Sequence, residues 1–368
     1  MKSNALHQMS IEEATEKQFK LIDEITKEFN GTSFSTLGDL GINLVQKSPV
    51  YTRKIERIIA SFFSQEDSVF VRGAGTGAIR FALSSVLMKE NDVLLLHKAP
   101  IYPTTKDTIE IQKIKTVMCD FNCKQELIDR LTSNKNIKCV LIQHSRQTLS
   151  DYYELGDVIN TIKNHSIARI ITDDNYATLK VKSIGTELGA DLSTFSCFKL
   201  LGPEGIGMVV GKSELINQIR KFQYSGGSQT QGHEAMAALR GLVYTPVIQA
   251  IQSNVIEKCA QIINNGKICC VEKAVVANAQ SKVILIKFNK PIAMKVLEEA
   301  EKLGATPYPV GAESKYELLP MFYRVSGTMR VDNPEYSTHW IRINPMRSGP
   351  QTVIRILEEA VRKVIECF

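Results

Sequence analysis

Between residues 68 and 210, short apolar runs alternate regularly with helical segments, and that rhythm leaves few ways to fold. The runs are Ser68–Val71, Val93–Leu96, Thr116–Cys119, Cys139–Ile142, Arg169–Thr172, Leu192–Phe195 and Ile206–Val210. Strands separated by helices predict an α/β domain, with a mainly parallel seven-stranded sheet covered on both faces, because a parallel crossover needs a connection long enough to hold a helix. Ligands of such sheets bind outside the carboxyl ends of strands, so function is sought in the loops that follow these runs.

Ahead of the alternation, Ser10 and Glu13 make a capping box, and Ile11, Ala14, Leu21, Ile22, Ile25 and Phe29 recur at helical spacing up to Asn30-Gly31. Irregular chain around Gly38 to Gly41 follows, and a second helical pattern begins at Arg53. Residues 1–50 therefore read as an N-terminal arm and 51–250 as the large α/β domain. A long helix over Gly232 to Ile263 leads into a different pattern. There, Val283–Phe288, a helix over Ile292–Leu303, strand-like runs near Phe322 and Ile341, and a closing helix from Thr352 predict a smaller α+β domain over 251–368.

With 368 residues, 43% of them hydrophobic and 23% charged, the chain is large enough for two domains sharing a cleft. Its 45 basic and 39 acidic residues leave a net charge of +6, dispersed along the chain with no dense basic tract. That balance suits anionic small substrates and argues against nucleic acid. No apolar stretch approaches a membrane span, and residues 1–10 lack the apolar core of a signal peptide. Among the eight cysteines no Cys-x-x-Cys pair has a matching Cys or His pair, so neither a metal nor a disulfide framework is expected. The expected compartment is the reducing cytoplasm.

Three strand ends carry residues with chemistry. After the first run comes Gly73-Ala74-Gly75-Thr76-Gly77-Ala78, opening a helix. Small residues let backbone N–H groups approach an anion at a helix N-terminus, which suits a phosphate. The same stretch fits a dinucleotide fingerprint, but the next strand ends in His97-Lys98 and offers no carboxylate for a ribose. After the fifth run comes Asp173-Asp174-Asn175-Tyr176. A carboxylate at a buried strand end needs a positive partner, and a pyridinium nitrogen is one. After the sixth run comes Ser196-Cys197-Phe198-Lys199, where apolar neighbours favour a neutral, nucleophilic amine. Singly, a tight turn at Gly75, a helix cap at Asp173 and a surface lysine at Lys199 are simpler readings. Their ordered arrival at successive strand ends favours one site.

That order, a Gly-rich loop, a strand-end Asp with an aromatic three residues on, and Ser-x-x-Lys, resembles the fold-type I pyridoxal phosphate enzymes. Thr194-Phe195-Ser196 with Lys199-Leu200-Leu201-Gly202 is similar to the selenocysteine synthase-like branch of the aminotransferase superfamily. Over nearly its whole length, including Asp173 to Ala177, Ser225 to Gln229 and Gly311 to Tyr316, the chain resembles the bacterial YhfS family of transferases.

The resemblance implies pyridoxal 5'-phosphate bound to Lys199 as an internal aldimine, with Asp173 facing the pyridine nitrogen. It implies Gly75, Thr76, Gly77 and Ser196 at the phosphate, and Tyr102, from Pro100-Ile101-Tyr102-Pro103, stacked on the ring. Relatives carry an Asn-Pro loop near the ring hydroxyl, whereas here Gln143-His144-Ser145-Arg146-Gln147 follows the fourth run. The partner of that hydroxyl is thus either Tyr176 or this loop. Arg146 reads equally as an anion ligand or as a solvated loop residue. Gly227 and Ser228, in Ser225-Gly226-Gly227-Ser228-Gln229, would reach the other subunit's phosphate in a homodimer. Arg342, in a strand with Ile341 and Ile343 on the opposite face, would grip the substrate carboxylate as a bidentate pair; Arg347 is its substitute.

The expected function is therefore an aminotransferase-like reaction on a small amino acid or amine. A carbon-heteroatom lyase working by β- or γ-elimination is the alternative, because these reactions share their early chemistry. A selenocysteine synthase-like enzyme and a cofactor-retaining regulator are further readings.

Overall fold

The computed structural model describes residues 4–366, apart from 147, 149, 267, 280, 311, 312, 328, 329, 331 and 332. Gln147, Gly311 and Ala312, which belong to segments singled out above, therefore lie outside the described residues. The chain forms two compact units. One comprises Glu12–Ser145 with Tyr152–Pro246; the other comprises Val247 onward, the segment ending at Ile11 and Arg146–Asp151.

The first unit is built on β1 (Asp67–Arg72), β2 (Val93–His97), β3 (Lys115–Cys119), β4 (Ile137–Gln143), β5 (Arg169–Asp173), β6 (Leu192–Ser196) and β7 (Ile206–Gly211). They form one seven-stranded sheet in the order β1-β7-β6-β5-β4-β2-β3. β6, β5, β4, β2 and β3 run parallel, and β7 runs antiparallel to both β6 and β1. The reversal at β7 follows from chain length: the connection from Ser196 to Ile206 is too short for a crossover helix, so the chain must turn back. Lys199 sits in that reversal. Since β1 and β6 flank β7 with the same polarity, the carboxyl ends of β1, β2, β4, β5 and β6 share one edge of the sheet.

Burial on both faces explains the uninterrupted apolar runs. Val69, Val71, Leu94 and Leu96 pack with Ala78, Ile79 and Leu83 of the helix Ala74–Val86 and with Ile216 and Ile219 of Ser213–Phe222. Phe70, Phe195, Met208 and Val210 pack with Ile55, Ile59 and Phe62 of the helix Val50–Phe62. Each fully buried side chain of this size contributes roughly 1.5–3 kcal/mol.

In the second unit β8 (Val271–Ala279), β9 (Ser281–Phe288), β10 (Met321–Arg324) and β11 (Trp340–Asn344) make an antiparallel sheet in the order β10-β11-β9-β8. Helices Ala293–Lys302 and Pro350–Glu366, with Ile256, Cys259 and Ile263 of the helix Gly232–Asn265, bury its apolar face. β8 is a strand that the sequence pattern did not suggest. Val271, Val275 and Val276 favour a strand, but the Glu272-Lys273 pair and the alanines break up the pattern, and pairing with β9 completes it. Among the described residues no helix is long and apolar enough to cross a membrane.

Candidate active site

The turn after β1 is shaped by close approach. Gly73 has φ +95°, and its N–H donates to the Gly205 carbonyl at 2.8 Å. A Cβ at Gly77 would lie 2.0 Å from the Arg72 carbonyl oxygen, and one at Gly75 would lie 2.5 Å from the Asn175 side chain. The N–H groups of Gly75 and Thr76 have no acceptor among the described residues, so the first helical turn presents two donors as an anion site requires. Thr76 Oγ1 lies 2.8 Å from Thr104 Oγ1, on the helix Pro103–Ile111 whose N-cap residue is Tyr102. The Tyr102 loop is thereby joined to the Gly-rich turn.

β5 ends on Asp173 and β6 on Ser196, and Asn175 ties them together. Its backbone N–H and its Nδ2 donate to Asp173 Oδ1 at 3.0 and 2.7 Å, while its Oδ1 accepts the Ser196 N–H at 3.0 Å. Oδ2 of Asp173 has no partner among the described residues. Burial pushes the Asp173 carboxyl above its ordinary range, and the adjacent Asp174 charge adds to this. The Asn175 hydrogen bonds and the Lys199 charge oppose it.

Lys199 Nζ stands 3.8 Å from the centroid of the Tyr176 ring, a cation–π contact at short range. Tyr176 has φ +66°, a left-handed conformation that is unfavourable for a tyrosine. Lys180 Nζ lies 5.4 Å from the same centroid. Four of the expected positions, Asp173, Tyr176, Ser196 and Lys199, are thus linked by direct contacts or through Asn175.

The remaining expected residues have other surroundings. Gly227 and Ser228 form a short 3-10 turn, and the loop containing them is anchored by Arg72, which donates to the Gln229 carbonyl at 3.0 Å and pairs with Glu234 at 2.5 Å. Arg146 belongs to the second unit and is buried, with Nη1 donating to the Asn4 carbonyl at 2.5 Å. The solvated-loop reading of Arg146 is therefore wrong: a contact 142 residues away in sequence takes it out of water. Arg342 lies on β11, its Nε donating to the Arg324 carbonyl at 2.8 Å and its Cζ 4.1 Å from the Tyr323 ring centroid. Ile341 and Ile343 face the core. Arg347 donates to Gln252 Oε1 at 2.6 Å, and its Nη2 is buried without a partner among the described residues. Burial lowers its pKa, against the charges of Glu313 and Glu317.

A phosphate-bearing pyridine aldehyde fits this donor set. Two backbone N–H groups can take an anion, a mostly buried carboxylate can face a positive nitrogen with the oxygen that Asn175 does not use, and an amine is held over an aromatic ring nearby. Three further residues belong to the arrangement, and their side-chain roles were not read from the sequence. Asn175 orients Asp173. Thr104 meets Thr76. His144 reaches Asp174, with Nδ1 2.6 Å from Oδ1. The only sequence signal for Asn175 was its place in the Asp-Asp-Asn-Tyr run.

Comparison with known proteins agrees with this chemistry. The family model for aminotransferase class-V matches residues 14–255, and that for the YhfS-like C-terminal domain matches 257–357. The uncharacterized protein YhfS of Escherichia coli K12 is 48% identical over 364 residues, 99% of this chain and all of that one. The crystal structure of the pyridoxal-5'-phosphate-dependent YhfS from Escherichia coli superposes with a TM-score of 0.96, covering 99% of this chain and 100% of that one. A cysteine desulfurase of Wigglesworthia glossinidia brevipalpis is 25% identical over 203 residues, 51% of this chain and 48% of the desulfurase. The methionine gamma lyase CalE6 of Micromonospora echinospora shares the fold at 14% identity, with a TM-score of 0.66 over 85% of this chain and 86% of that one.

Proposed function

Because the chain belongs to the aminotransferase class-V family and is a pyridoxal-phosphate-dependent enzyme, we propose that it transfers the amino group of a small amino acid or amine, with Lys199 bonded covalently to the cofactor. The observation that carries this reading is the Lys199 amine held 3.8 Å from the Tyr176 ring centroid, within the electrostatic reach of the buried Asp173. Bound pyridoxal phosphate supplies an electron sink for negative charge at the substrate α-carbon.

The protein's own residues supply the rest. Asp173, through its open Oδ2, holds a proton on the pyridine nitrogen. The N–H groups of Gly75 and Thr76 bind the phosphate, with Gly77 keeping the turn tight and the Ser196 hydroxyl completing the site. Tyr102 would cover one face of the ring, and either Tyr176 or the loop that begins at Gln143 would hold the ring hydroxyl. The Lys199 amine would take and return the proton at the substrate α-carbon. Arg342, its Nε fixed on the Arg324 carbonyl, offers its two terminal nitrogens as a fork for the substrate carboxylate. Arg146 is a second anion ligand.

The working molecule is a cytoplasmic homodimer. Leu37, Leu40, Leu44 and Val45 are 78, 75, 91 and 89% exposed. Apolar surface of that kind, clustered in one short segment, suits coverage by a second copy. Gly227 and Ser228 then serve the partner's phosphate.

The test is a visible spectrum followed by product analysis. Purified protein should show a cofactor band in the visible range that is absent from Lys199→Ala. Incubation with amino acids should give turnover only when an oxo-acid acceptor is present. Ammonia released without an acceptor would replace this reading with the lyase. Salt-sensitive retention of bulk tRNA on a filter would replace it with a selenocysteine synthase-like role. A colourless protein that takes up no added pyridoxal phosphate would end it.

A further inference from the structure

Immediately before β8, in the second unit, two consecutive cysteines hold their sulfurs together. Cys269 Sγ lies 3.7 Å from Cys270 Sγ, with Cys269 exposed and Cys270 half-buried. Neighbouring side chains ordinarily diverge, to opposite faces of a strand or by roughly 100° around a helix. These two converge at a turn in which Cys270 has φ +61°, a left-handed conformation unfavourable for a residue with a Cβ. Two hydrogen bonds hold the turn: the Val271 N–H donates to the Ile268 carbonyl at 3.1 Å, and the Asn289 N–H donates to the Cys270 carbonyl at 3.0 Å.

The sulfur separation selects what the pair can bind. A direct S–S bond is disfavoured, because consecutive Cα atoms stand about 3.8 Å apart, inside the lower limit of roughly 4.4 Å for ordinary disulfides. One soft centre bonded to both sulfurs at about 2.3 Å, with an angle of roughly 100–110°, separates them by about 3.5–3.8 Å. The spacing of Cys269 and Cys270 matches such a two-sulfur chelate. A metal ion that wants four protein ligands is not served, since among the described residues no group of three or more His, Cys, Asp or Glu is placed to hold one. Two thiols do satisfy a trivalent centre that brings its own third substituent. Beside Cys269 lies a cleft of about 340 Å³, lined by Ile268, Val361 and Ile365 and by the Arg362–Glu366 ion pair, which gives an apolar substituent a surface to rest on.

We propose that Cys269 and Cys270 form a dithiol site for one trivalent thiophilic centre bearing an organic group, a mono-substituted arsenical being the type case. In the exchange two As–O bonds break and two As–S bonds form. Both thiol protons leave with the oxygens as two waters, and arsenic stays trivalent, so no oxidant or reductant takes part. Burial and the hydrogen bond with Cys269 hold the Cys270 thiol above its ordinary pKa. Capture does not require the thiolate beforehand, because the proton leaves with the oxygen. The inference is independent of the reaction proposed above, since neither cysteine is among the cofactor or substrate ligands.

The experiment incubates the full-length protein, loaded with pyridoxal 5'-phosphate, with phenylarsine oxide and excess glutathione, and counts retained phenylarsenic groups by native mass spectrometry. Wild type should keep one group per chain against glutathione, a monothiol, and release it to dimercaptopropanol, a dithiol. Cys269→Ser and Cys270→Ser should each weaken retention at least about hundredfold, the lower end for losing a second bond made within one chain. Cys123→Ser removes another exposed cysteine, and Cys367→Ser removes one outside the described residues; both should retain the group as wild type does. Thermal melts check that each variant is folded, and if one variant of the pair is not, the other decides. Wild-type retention in Cys269→Ser or Cys270→Ser overturns the proposal. A hundredfold loss in Cys123→Ser or Cys367→Ser, or a wild type that gives up the group to glutathione, overturns it as well.

Discussion

The side-chain amide of Asn175 donates to Asp173 Oδ1 at 2.7 Å and so determines which oxygen of that carboxylate is left to meet a bound ring. The same amide accepts the Ser196 N–H, coupling the ends of β5 and β6. Asn175→Ala should therefore lower cofactor affinity about tenfold, the low end for losing one side-chain hydrogen bond to a charged group, worth roughly 1.5–3 kcal/mol. Absorbance titration of the apoprotein reads this, and wild-type affinity would remove Asn175 from the site.

Asp173 carries the opposite consequence for stability. Burial raises its folded pKa above the unfolded value near 3.8, so the folded apoprotein holds that proton more tightly. Its contribution is present below the unfolded value and is lost as pH rises toward the folded one. Asp173→Asn should consequently melt higher than wild type at neutral pH in the apo form, with the gap closing in acid, while failing to retain cofactor. A neutral-pH apoprotein melt at or below wild type would contradict the sign.

Much of this arrangement is legible in the sequence because burial on both faces leaves the strands as unbroken apolar runs, as in Val93–His97. A strand-end residue such as Asp173 or Lys199 can be found once the runs are set, since topology gathers strand ends on one edge. Contacts between distant segments are not legible. Nothing local to His144 announces Asp174, and nothing local to Arg146 announces the Asn4 carbonyl. β8 is hidden for a related reason: its valines are interrupted by Glu272-Lys273 and by alanines, and the pairing with β9 completes the strand.

Away from the site, Arg220 binds Asp67 through both terminal nitrogens and reaches Glu56, which is 3% exposed, at 3.3 Å. Arg220→Ala leaves Glu56 with Arg53 and the Phe70 N–H and should cost about 3 kcal/mol, the lower end of the range for breaking a buried ion pair by removing one partner. Burial would raise the Asp67 carboxyl, but the Arg220 hydrogen bond and charge outweigh it and hold the pKa down. That stabilisation is present above the unfolded value and lost as pH falls through the depressed folded one. Urea denaturation across acid pH should show wild type losing stability there and Arg220→Ala losing less, having lost it already.

The exposed Leu44 and Val45 test the dimer. Isolated apolar side chains on a surface need no explanation, but Leu37, Leu40, Leu44 and Val45 lie within nine residues of one another, all at least 75% exposed. Covering them gains the burial of four large side chains, whereas a charge introduced among them would have to be desolvated on association. Leu44→Asp/Val45→Asp should therefore sediment as a monomer while keeping its fold, because neither side chain packs within its own subunit. If Gly227 and Ser228 serve the partner's phosphate, the same variant should also bind cofactor more weakly. A monomer with undiminished affinity would separate the two ideas, keeping the interface and discarding the shared phosphate site.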